Sequence, residues 1–124
     1  MTAREMHREY SRETAKRLRA AAREMGAALS LSDVDAFYNG CRVDGGWSAR
    51  GFKRALVLRL ESAGLVTGPA GLALFGMRWT EATLTPAGRG LWWRVEEVYA
   101  ETMPMFWAAV RQQRAEAATA ERAP

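Results

Sequence analysis

The chain has little of what catalysis and covalent cross-linking need. Of its 124 residues one is cysteine and one is histidine. Cys41 has no second thiol, so no disulfide forms within the chain and an oxidising compartment is not required. It has no histidine near it in sequence either, which removes a Cys–His nucleophile and a zinc site of ordinary ligand spacing. Cys41 therefore reads as a small half-buried core residue. His7 lies in a charged stretch and reads as a surface or interface side chain. Long apolar runs are also missing. The N-terminal stretch TAREMHREYSRETAKRLR carries charge throughout, so neither a signal peptide nor a membrane span is expected and the cytoplasm is the expected compartment. The glycines from Gly64 to Gly76 lack the lysine-serine pair and the strand–glycine–helix context of a phosphate-binding loop. No enzyme, metal or cofactor is expected.

What is present points to one folded domain spanning 1–124. Hydrophobic residues make up 48% and aromatics 10%, enough for a core in a chain of this length. The net charge of +4 is carried almost wholly by arginine. Arginine forks onto phosphate and guanine better than lysine does, which leans towards an anionic partner. The plainer reading is that an arginine- and alanine-rich composition follows genomic base composition.

The organising stretch is Gly45 to Leu91. Ser48 reads as an N-cap whose hydroxyl accepts from the first helical turn. The helix should run to Ser62 or Ala63. Phe52, Leu56, Leu60 and Ala63 mark its buried stripe, with Arg50, Lys53 and Arg54 on the other side. Gly64 should stop it in the left-handed conformation, with Leu65 folding back onto Leu60. Leu65-Val66-Thr67 then reads as a short strand. Two further strands, Leu72–Phe75 and Trp79–Leu84, should make a hairpin. Thr85 and Pro86 read as the N-cap and first residue of the next helix.

RLESAGLV (Arg59 to Val66) and LTPAGRGL (Leu84 to Leu91), in this order and at a spacing a hairpin fills, resemble the recognition-helix end and wing exit of winged helix-turn-helix regulators of the MarR type, with the PadR type second. The resemblance covers roughly residues 48 to 95. It implies a mainly α fold with a small β-hairpin wing and long N- and C-terminal dimerisation helices. The parts are an N-terminal helix at 2–29, a helix-turn-helix at 32–63, a wing at 65–84, C-terminal helices at 85–114 and a frayed tail at 115–124. Two departures stand out. The turn before the recognition helix runs to about seven residues, against the usual three or four, and contains Gly45-Gly46. The wing carries only Arg78 among Leu72, Leu74, Phe75, Met77 and Trp79.

The flanks follow from spacing. Thr2 to Glu5 has the form of a capping box, and Met6, Tyr10, Leu18, Ala22, Met25 and Leu29 then recur at helical steps over about seven turns. Arg4, Arg8, Arg12 and Lys16 form a second stripe, read as a solvated face. Ser32 should cap a short helix that turns Val34, Phe37 and Tyr38 inward, with Cys41 the next candidate, and ends at Asn39-Gly40. Trp47 should plug the end of the core. Pro104 should kink or break the last helix. Trp92 and Trp93 are separated by about 100° on a helix, so one of them should face an interface.

The expected role is a dimeric regulator, more a repressor than an activator, that occludes a promoter on double-stranded DNA. Ser48, Arg50, Lys53, Arg54 and Arg78 are the candidate DNA contacts. Met6, Tyr10, Leu18, Trp93, Phe106 and Trp107 are the candidate homodimer interface. The resemblance further implies a small-molecule effector held between the dimer helices and the winged domain. A winged-helix protein–protein adaptor or anti-repressor, without DNA binding of its own, is the alternative.

Overall fold

The computed structural model describes residues 1–48, 54–67 and 81–122. In order they form α1 (Ala3–Glu24), α2 (Leu31–Gly40), β1 (Gly46–Ser48), α3 (Arg54–Ser62), β2 (Val66–Thr67), β3 (Glu81–Leu84) and α4 (Pro86–Arg122). The fold is mostly α, with one small antiparallel sheet in the order β1-β3-β2 and long terminal helices. The chain divides into two compact units, Met1–Arg17 with Glu96–Pro124 and Leu18–Val95.

In the unit Leu18–Val95, local signals place most of the helix ends. α1 closes on Gly26 at φ 72°, earlier than the apolar spacing through Leu29 implies. Gly26 N–H donates to the Arg23 carbonyl and Ala27 N–H to the Ala22 carbonyl, a glycine-stopped end that satisfies two otherwise orphaned carbonyls. α2 is capped by Ser30 rather than Ser32. The Ser30 side chain accepts from Asp33 N–H at 3.1 Å, and the acidic Asp33 suits the first turn. Gly64, at φ 74°, stops the chain after α3 as the sequence predicts. Its N–H reaches the Glu61 carbonyl and Leu65 N–H reaches the Leu60 carbonyl, while Leu60 and Leu65 are both buried.

The expected long turn after α2 is a hairpin that feeds a strand. Cys41 bridges Trp47, Gly45 N–H donates to the Arg42 carbonyl, and Arg42 N–H donates to the Gly46 carbonyl. Gly45 sits at φ 89°, a left-handed position that costs a glycine nothing. The Asp44 carboxylate accepts from Gly46 N–H at 2.9 Å and holds the tip. Gly46, Trp47 and Ser48 then pair with Thr83, Ala82 and Glu81. Ser48 therefore ends a strand, and the helix described after it begins at Arg54. The described residues after α2, 41–48, thus form a hairpin and strand where a helix-turn-helix turn was expected, and residues 49–53 lie outside the described residues.

Trp47 is fully buried and donates its Nε1–H to the Phe37 carbonyl at 2.8 Å, so the plug reading holds. The buried core of this unit also holds Val34, Phe37, Leu60, Leu65, Val66, Leu91 and Val95. Each such side chain, once covered, contributes about 1.5–3 kcal/mol. β2 pairs with β3 through Val66 opposite Leu84 and Thr67 opposite Thr83. The expected strand Leu72–Phe75 lies outside the described residues.

In the unit Met1–Arg17 with Glu96–Pro124, α1 and α4 run antiparallel. Partner numbers fall along α4 as they rise along α1: Ala3 N–H to Glu116, His7 to Gln113, Tyr10 against Phe106, Arg17 to Glu101. Glu5 N–H donates to the Thr2 hydroxyl, the N-cap expected of this sequence. α4 is one helix through Pro104, so of the kink or break expected there the break does not occur, and it stays helical to Arg122 where a frayed tail was expected. Proline removes one backbone bond and crowds the preceding turn, at about 3 kcal/mol. Packing offsets that, since Val98, Thr102 and Ala109 on either side are fully buried. The Thr102 hydroxyl donates to the Val98 carbonyl at 3.0 Å, a back-bond that commonly accompanies bending. No described helix is long and apolar enough to cross a membrane.

Candidate nucleic-acid interface

α3 is the element the sequence singles out, and the surrounding parts hold it from several directions. Its inner face is Leu56, Val57 and Leu60, all buried. At its end, Thr85 makes three bonds at once. The Thr85 N–H donates to the Leu65 carbonyl, its hydroxyl donates to the Gly64 carbonyl, and the same hydroxyl accepts from Gly88 N–H at 2.9 Å. Thr85 thus caps α4 and ties that cap to the stop of α3. Gly88 packs directly on the Leu65 backbone, where any Cβ would collide with the Leu65 carbonyl.

The side of α3 away from the core presents Ala55, Leu58, Arg59 and Ser62, all exposed. Arg59 is engaged. Its Nε–H donates to Asp33 Oδ2 at 3.2 Å and its Nη2–H to Asp33 Oδ1 at 2.8 Å, a two-toothed fork across to α2. The Asp33 side chain is 11% exposed and the Arg59 side chain 52%. The Arg59 guanidinium holds the Asp33 carboxyl below its ordinary range, against the opposing effect of burial and with help from Ser30. Asp33 in turn raises Arg59 above its ordinary value. Beside the pair, Gly26, Leu29, Leu58 and Ala63 line an open, largely apolar groove of about 420 Å³.

Of the candidate DNA contacts, Ser48 is the half-buried last residue of β1, opposite Glu81. Arg54 is the first described residue of α3. Arg50, Lys53 and Arg78 lie outside the described residues. Arg59 was not singled out from the sequence, and no local pattern could have paired it with a carboxylate 26 residues earlier. Among the described residues no group of three His, Cys, Asp or Glu side chains gathers so as to hold a metal ion.

The candidate interface residues divide by exposure. Trp93 is 64% exposed and stacks on half-buried Trp92, ring centres 5.8 Å apart. Leu18 is 5% exposed, covered by its own chain. Met6, Tyr10 and Phe106 are half-buried and Trp107 is 49% exposed. Phe106 makes ring contacts with His7, Tyr10 and Trp107, with centres 5.3–6.1 Å apart.

Compared with protein-family models, curated proteins and solved structures, the chain matches none. The geometry by itself carries a small, mostly helical domain with a three-stranded sheet, consistent with a generic winged-helix-type fold.

Proposed function

We propose that the protein is a dimeric, non-enzymatic regulator that binds double-stranded DNA through the α3 segment and represses by occluding a promoter. The observation that carries this reading is the order of parts. A helix, a strand, α3 and a two-strand return, with the last strand central in the sheet, is the arrangement by which winged-helix domains offer one helix to a groove. Arg50, Lys53 and Arg54, three cations in five residues, supply the charge for that helix. In a helix opening at Ser48, as the sequence reads, such a cluster would oppose the macrodipole, so local stability would not account for it. Arg50 would read base edges, Lys53 and Arg54 phosphate or guanine, and Arg78 would be a secondary contact.

Dimerisation is supported by the unit formed from Met1–Arg17 and Glu96–Pro124. Two helices alone make a single layer, and Met103 and Trp107 remain 40% and 49% exposed on it. A second copy would cover them.

The test is binding of a short random-sequence duplex at several salt concentrations. Binding should weaken steeply with salt, and an Arg50/Lys53/Arg54→Ala variant that stays folded should lose about 0.9 of a unit of slope per phosphate contact removed. Equal binding by parent and variant would overturn the reading. One observation favours the adaptor alternative: in the described part of α3 the exposed face is largely Ala55, Leu58 and Ser62, with Arg59 engaged by Asp33. Absence of binding at low salt would put that alternative first.

A further inference from the structure

The described part of the connection between α2 and α3, residues 41–48, is a hairpin and a strand. In a helix-turn-helix a turn of three or four residues fixes the angle between the two helices. The described residues 41–48 alone already exceed such a turn. Among the described residues a direct polar tie joins the two helices, the fork from Arg59 to Asp33.

Asp33 is the fixed end of that tie. It lies in the first turn of α2, its own N–H is held by Ser30, and the residue is 8% exposed. Arg59 is the long, half-solvated end that comes to it. A guanidinium has five N–H donors in one plane, and two of them meet the carboxylate in the paired geometry that fixes direction as well as distance. The rest of the exposed face beside it, Ala55, Leu58 and Ser62, carries no charge. The tie therefore does two things. It orients α3 on α2, and it neutralises a cation in the last turn of α3.

We propose that Asp33 is a positioning residue for DNA binding: by holding Arg59 it fixes the angle at which α3 is presented and withholds that arginine from the phosphate backbone. The proposal rests on the reading of α3 as the DNA-binding helix. Sequence selectivity then depends on a carboxylate that never touches DNA. Non-specific attraction is kept lower than the composition of α3 would give.

The test uses the full chain, a random-sequence duplex, and the best duplex that the parent selects from a random library. Affinity is measured against salt for the parent and for Asp33→Asn, Arg59→Gln, Asp33→Glu and the double variant Asp33→Asn/Arg59→Gln. Asp33→Asn should free Arg59, steepen the salt slope by about one unit and reduce discrimination between the two duplexes by roughly tenfold. Arg59→Gln should keep the parent slope yet lose the same discrimination. Asp33→Glu, which can re-form the fork, should recover most of it. The double variant leaves no charge unpaired, so it carries the decision if a single variant does not fold, with parent slope and reduced discrimination expected.

A pair that only stabilises would lower the unfolding midpoint and leave slope and discrimination unchanged, and that result overturns the proposal. A slope that falls by one unit in Arg59→Gln also overturns it, because Arg59 would then hold a phosphate in the parent. A parent that binds duplex DNA while all four variants match it removes this proposal alone. A parent that binds no duplex at low salt removes the DNA reading and this proposal together.

Discussion

The indole of Trp47 occupies the space that a side chain at residue 40 would need. A Cβ built on Gly40 would lie 2.5 Å from Trp47 Nε1 and 2.9 Å from the Ser48 carbonyl oxygen. The bond from Nε1 to the Phe37 carbonyl holds the ring there. The last residue of α2 and the middle of β1 are therefore fitted to each other.

Gly40→Ala should accordingly destabilise the protein by about 1–3 kcal/mol, the usual range for overpacking a filled core. The denaturant midpoint is the measurement, with Trp47 fluorescence reporting whether the ring moves. An unchanged midpoint would mean that the ring and hairpin yield freely.

Gly64 and Gly26 offer a contrast. Both have positive φ, and a Cβ on either would meet nothing within 4 Å. Gly64→Ala and Gly26→Ala should each cost about 1–2 kcal/mol from backbone strain alone. Asparagine, which tolerates the left-handed region, should recover part of the loss at both sites. A Gly64→Asn variant no better than Gly64→Ala would count against the strain explanation.

The caps and glycine stops show what could be read in the sequence and what could not. Gly64 and the Thr85-Pro86 pair act on their own neighbours, and their meaning is contained in a few residues. Ser30 and Ser32 each have an aspartate three positions on, Asp33 and Asp35, so the local signal does not separate them and only the backbone geometry assigns the cap to Ser30. β1 was hidden because three residues carry no period, and their partner strand lies at Glu81–Leu84. Nothing in the sequence marks Arg59 as paired for the same reason, since its carboxylate is on another helix. Pro104 read as a kink or a break because its local penalty shows in sequence, while the packing that keeps the helix unbroken does not.

The Asp33–Arg59 pair gives a pH dependence whose sign is fixed by the direction of the shift. Asp33 has a folded pKa below its unfolded one, so its stabilisation is complete above the unfolded value, near 3.9. It is lost as pH falls through the lowered folded value. Arg59 stays charged across that window. Asp33→Asn should cost about 1–2 kcal/mol at neutral pH, a modest figure because Arg59 is half in water. The parent's advantage over the variant should shrink below about pH 4. An advantage that persists undiminished at lower pH would rule out the charged pair as its source.

The aromatic surface of the two-helix unit predicts a concentration-dependent assembly. Light scattering at about 10 μM should give the mass of a dimer, within the affinity expected of an interface of ordinary size. Trp107→Glu should shift the population to monomer with little loss of helix, since Trp107 is half-exposed in the single chain. A parent that is monomeric at that concentration would leave Met103 and Trp107 without the partner proposed for them.

The strand order β1-β3-β2 also governs how the molecule can come into being. Among the described strands β3 is made last, and both β1 and β2 pair with it. While the chain emerges from a ribosome, β1 and β2 lack these ladder partners until Leu84 is free, although α1 and α2 can already coil. Closing the sheet requires bringing Gly46 to Thr83, a loop whose entropy is lost before any ladder bond repays it. The sheet should therefore form in one late step that joins both edges at once, and substitutions in β3 should slow refolding more than equal losses of stability placed in α1.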